Sequence, residues 1–138
     1  MWKDVTTGSK LGYSPDAIIS STIMSDGTKG LVEVKCPFSK VKRDSPLNDD
    51  GFFSYLPQLV GALVVVSEAD WIDLVYWRGS ADQMDVWRLD RTSQLFVDAW
   101  EAMREPVFGF CKSVMEDVEP KRAPWQLNMV LSDLKVNK

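Results

Sequence analysis

Gly30-Leu31-Val32-Glu33-Val34-Lys35-Cys36-Pro37-Phe38 is a short apolar run with an acid and an amine set into it. Residues 31–35 read as a strand, because Val32 and Val34 are β-branched and Cys36-Pro37 stops the ladder. Side chains on a strand alternate between faces. Glu33 and Lys35 therefore share one face, and Val32 and Val34 the other. Burying an acid beside an amine is costly unless something pairs them. A divalent cation is one reason to do so, with Glu33 as an oxygen ligand and Lys35 beside the water or phosphate that the ion holds.

Alone, Glu-x-Lys decides little. In a chain that is 26% charged it arises by chance, as a solvated ion pair on a strand face. Ser14-Pro15-Asp16 upstream, followed by apolar Ala17, Ile18 and Ile19, changes the reading. The spacing fits two adjacent strands joined through an Asp26-Gly27 turn. That pairing brings the Asp16 carboxylate beside Glu33, so that two hard oxygen ligands converge.

Composition narrows the chemistry. The chain has 138 residues, 45% of them hydrophobic, which is enough apolar material for the core of one domain. Its net charge of −4 argues against a protein that coats polyanions generally, but basic residues can still be concentrated locally. There are no histidines, which rules out a His-based zinc site, a Ser-His-Asp triad and a Cys-His dyad. Cys36 and Cys111 lie far apart, without the spacing of a disulfide framework or an iron–sulfur cluster. Both read as reduced core residues of a cytoplasmic protein. No signal peptide is visible, and the apolar run 59–66 is too short to span a bilayer, so no membrane association is expected.

Pro15-Asp16 followed by Glu33-Val34-Lys35 resembles the PD-(D/E)XK nuclease signature. The wider string is Tyr13-Ser14-Pro15-Asp16, then residues 30–38, then Tyr55-Leu56-Pro57-Gln58-Leu59. It resembles the lambda-exonuclease (YqaJ-type viral recombinase) branch, in which a Gln-bearing helix follows the Glu-x-Lys-Cys-Pro strand. The resemblance runs from about Gly12 to Trp77 and more loosely to Trp100. Its combination of motifs is specific; the parts are not.

The resemblance implies an α/β fold with a central mixed β-sheet flanked by helices, a restriction-endonuclease-like core. It also implies a Mg²⁺-dependent deoxyribonuclease, with Mn²⁺ as an alternative ion, that digests double-stranded DNA ends from 5′ to 3′ in phage-type recombination. A single-strand annealing protein as partner and a ring-shaped trimer come with it. Carried onto this chain, Asp16 and Glu33 are metal ligands and the Val34 carbonyl a third oxygen. Lys35 orients or deprotonates the attacking water, or stabilises developing charge. Gln58 is the family's glutamine near the metal, although Val60 stands where a second glutamine is usual. Family members also carry an amino-terminal helical part, and the residues before Asp16 do not read as one. A non-catalytic DNA-end-binding or assembly protein with the same fold is the competing expectation.

The remaining elements follow from pattern. Residues 1–11 suggest a first strand or arm, with Gly8-Ser9-Lys10 as a loop, and residues 13–24 the second strand. Residues 39–51 read as a polar connector, in which Lys40, Lys42 and Arg43 either are solvated or grip DNA phosphates. Residues 52–67 predict a helix with Pro57 near its first turn and Gly61 allowing a close approach. Strands are expected at 71–77 and 84–89, with Trp71, Tyr76, Trp77 and Trp87 as packing aromatics. A helix is expected over 92–119, kinked or divided at Pro106, with Leu95, Phe96, Ala99, Trp100, Met103, Val107 and Phe110 as its apolar stripe. The nuclease core is placed at 1–119, and 120–138 is a tail that docks on it or on a neighbouring subunit.

Overall fold

The structure, a computed structural model, describes residues 2, 3, 10–20 and 22–116. Two short strands, β1 (Trp2–Lys3) and β2 (Lys10–Leu11), pair antiparallel. The main sheet contains β3 (Ala17–Ile19), β4 (Gly30–Lys35), β5 (Trp71–Trp77) and β6 (Met84–Asp90), paired in that spatial order. Between β4 and β5 lie helices α1 (Lys40–Asp44) and α2 (Asp49–Val65), and α3 (Gln94–Met115) follows β6. The result is a mixed α/β fold with a four-stranded mixed sheet flanked by helices. The β4–β5 pair is parallel and its neighbours are antiparallel. A parallel pair requires a crossover, which α1 and α2 supply.

The core lies on one face of this sheet. Leu31, Ile72, Leu74 and Leu89 point from β4, β5 and β6 onto Leu56, Leu59, Val60 and Leu63 of α2, and all eight are fully buried. Burying a leucine or isoleucine side chain contributes about 1.5–3 kcal/mol. Truncating Leu59 to alanine would cost about 3 kcal/mol. Phe96, Ala99 and Met103 of α3 close the same core. The Arg91 guanidinium donates to the carbonyls of Leu63, Val66 and Ala69, anchoring the end of α2 to the turn before α3. Its burial pulls the Arg91 guanidinium below its ordinary pKa.

Several expectations change. The upstream strand is only three residues long, and residues 4–9, including Gly8 and Ser9 of the expected loop, lie outside the described residues, while Lys10 belongs to β2. The hairpin register and the Gly27 turn are as expected: Gly27 has φ +74°, and Asp26 accepts from both the N–H and the hydroxyl of Thr28. The polar connector is largely helical. Ser39 caps α1 by accepting from the Lys42 N–H, and Asn48 caps α2 by accepting from the Gly51 N–H. Asp49 and Asp50 in the first turn of α2 complement the positive end of its dipole.

The earlier start of α2 places Pro57 inside the helix rather than in its first turn. Pro106 likewise lies within a continuous α3. In both cases buried residues on either side carry the helix past the missing N–H. Gly61 has no close neighbour; Gly30 is the tight position, where a Cβ would overlap the Trp71 ring. Trp77 is 41% exposed and Phe110 is also exposed, so neither belongs to the core. Cys36 is exposed and Cys111 buried. The expected tail, 120–138, lies outside the described residues. Among the described residues, no helix is long and apolar enough to cross a membrane.

Candidate active site

Among the described residues Glu33 is the buried charged one, 6% exposed on the face that α2 covers. Leu31, two residues earlier, forms core there, so strand alternation drives Glu33 under the same helix. Three side chains meet its carboxylate. Lys35 Nζ and Gln58 Nε2 each donate to Oε1 at 2.6 Å, and the Tyr13 hydroxyl donates to Oε2 at 2.6 Å. One turn of α2 matches the strand spacing: Gln58 reaches Glu33, while the Tyr55 ring lies 5.3 Å from Lys35 Nζ.

Asp16 approaches β4 from the edge. Its backbone N–H donates to Val32 O at 3.1 Å, and its Oδ2 accepts from the Val34 N–H at 2.7 Å. It is thus bonded to the backbone on both sides of Glu33. In a strand the N–H and C=O of one residue leave on the same side, so the Val34 carbonyl also leaves β4 on the side of β3. Both carboxylates act on Tyr13. Burial, then the hydrogen bond to Glu33, then the charges of Glu33 and Asp16 hold its phenol well above the ordinary range. The hydroxyl therefore remains a protonated donor at neutral pH.

The predicted residues Asp16, Glu33, Val34, Lys35 and Gln58 are brought together by these contacts. The basic trio lies on α1, fully on the surface: Lys42 lines a groove of about 600 Å³ together with Tyr55, whereas Lys40 and Arg43 stand elsewhere on the same helix. Tyr13 is the residue that sequence reasoning passed over. The signal was its place three residues before Asp16, which lets one segment deliver a hydroxyl and an acid to the same strand.

The donor set suits a hard cation. A carboxylate offers about four lone-pair sites. Among the described residues, Oε1 of Glu33 accepts two hydrogen bonds and Oε2 one, which leaves an acceptor position on Oε2. Asp16 is exposed and adds a second carboxylate. Mg²⁺ is commonly held by one or two carboxylates with waters completing its shell. Among the described residues, no group of three or more Cys, Asp and Glu side chains is arranged to hold a metal. Any ion here would rest on two acids and a backbone oxygen.

No protein-family model, curated protein or solved structure matches the chain.

Proposed function

We propose that this chain is a metal-dependent deoxyribonuclease of restriction-endonuclease-like, PD-(D/E)XK type, acting on the ends of duplex DNA. The reading is carried by one observation: a buried glutamate, bonded to the lysine two residues along its strand, with an aspartate from the neighbouring strand bonded to the backbone on both sides of it. Asp16, Glu33 and the Val34 carbonyl would hold Mg²⁺ or Mn²⁺. When bound, the ion supplies positive charge to the scissile phosphate and lowers the pKa of a water.

The chain's own residues do the rest. Gln58 and Tyr13 fix the rotation of the Glu33 carboxylate. Lys35 gives one N–H to Glu33 and has two further donors for a phosphate oxygen or the attacking water. The Tyr55 ring lies 5.3 Å from the Lys35 ammonium, within cation–π reach, and helps to fix its position. Digestion from 5′ to 3′, a single-strand annealing partner, a ring-shaped trimer and a cytoplasmic setting belong to the same reading through the family resemblance.

The test is linear duplex DNA incubated with Mg²⁺, with and without chelator, beside Asp16→Asn. Cleavage that needs the ion and falls at least about 10²-fold in the variant is the expected result. Cleavage that survives Asp16→Asn would overturn the site. No cleavage in any condition would favour a DNA-end-binding protein without turnover.

A further inference from the structure

The groove beside the site has a second peculiarity. Phe38, three residues after Lys35, lines its rim and is 100% exposed, and Val41 on the same rim is 78% exposed. Pro37, Leu47, Tyr55 and Tyr76 continue the lining, and Lys42 is its charged member. Among the described residues, no carboxylate lines it. Its volume of about 600 Å³ falls within the range of about 300–1,000 Å³ typical of small-ligand pockets. Tyr55 belongs both to this groove and to the surroundings of Lys35, so the groove opens where the catalytic cluster ends.

Resting on the nuclease reading, we propose that this groove holds an unpaired base of the DNA strand being cut, stacked on Phe38, with Lys42 on its phosphate. A fully exposed phenylalanine has solvent where a packed residue has neighbours, and a base supplies a flat apolar surface of matching shape. Aromatic stacking tolerates any base, as end digestion requires. A single cation and no acid in the lining suit a ligand that pairs one flat ring with one anion. A base enters such a groove only after leaving its pair, so a frayed or single-stranded end binds better than a blunt one.

The experiment measures equilibrium binding of a labelled blunt duplex and of the same duplex with a short single-stranded overhang, in chelator, across a salt series. Wild type, Phe38→Ala and Lys42→Ala are compared, with Mg²⁺-dependent cleavage recorded separately. Wild type should prefer the overhang. Phe38→Ala should weaken overhang binding about 10-fold, leaving blunt-duplex binding and the salt slope unchanged. Lys42→Ala should reduce the salt slope by about one unit. Because Phe38 is fully exposed, its removal leaves the melting temperature unchanged. Equal overhang affinity for wild type and Phe38→Ala overturns the base site, even where wild type cleaves DNA; the exposed ring then serves a protein partner. The expected Phe38 effect without cleavage by any variant sinks the enzyme reading and sustains the base site. Absence of DNA binding by wild type overturns both.

Discussion

Two ion pairs lie on opposite faces of the same sheet and differ in what they leave undone. On the open face, Arg88 of β6 meets Asp73 of β5 with two parallel contacts of 2.8 Å, and its guanidinium stacks 3.7 Å from the Trp71 ring. Both oxygens of Asp73 are engaged, and the hydrogen bonds hold the Arg88 guanidinium above its ordinary pKa. On the covered face, Lys35 meets Glu33 through one oxygen, with donors on the lysine and an acceptor position on the glutamate unspent. The first pair is closed and acts as a strut. The second is buried yet incomplete, an expensive arrangement for a merely structural contact.

That contrast breaks most sharply at the acids. Glu33→Gln or Asp16→Asn should reduce Mg²⁺-dependent DNA cleavage by about 10²-fold or more, read as turnover on linear duplex, whereas Arg88→Ala should leave turnover untouched. Tyr13→Phe comes next: it removes the donor that orients Glu33 Oε2, and isothermal calorimetry with Mg²⁺ or Mn²⁺ should show affinity about 10–100-fold weaker. Unchanged affinity would mean that Tyr13 merely fills space. On the strut side, Arg88→Ala should cost about 1 kcal/mol in denaturant unfolding, with the value limited by the arginine's exposure. Smallest of all, Lys29→Ala breaks a surface pair with Glu68 at 3.4 Å, and the melting temperature should not move.

The β4 strand and the shared face of Glu33 and Lys35 were legible because strand alternation is short-ranged. Val32, Glu33, Val34 and Lys35 need only their immediate neighbours to declare their faces. Gln58 came only through family resemblance, since a helical glutamine says nothing of what it meets. Tyr13 was missed because its role depends on where a turn delivers it, 20 positions away from Glu33. Helix α2 starts earlier than expected because Asn48 caps it from within the polar connector, and Pro106 does not divide α3, whose buried flanks carry it past the missing N–H. The close approach expected at Gly61 is absent, and the crowded glycine is Gly30, whose neighbour Trp71 lies 41 positions later on the next strand. Exposure of Phe38 and Trp77 was illegible, since a lone aromatic carries no period.

The strand that delivers Asp16 is the shortest in the sheet and lies at its edge, held by three residue pairs. Glu33 and Lys35 sit on an interior strand bonded on both sides. Edge segments with few buried contacts open with far less free energy than the whole domain. Peeling β3 away would therefore separate Asp16 from Glu33 while the hydrophobic core stayed intact. Amide exchange along Ala17–Ile19 should outpace that along Trp71–Trp77, so the Asp16–Glu33 arrangement can come apart long before the fold does.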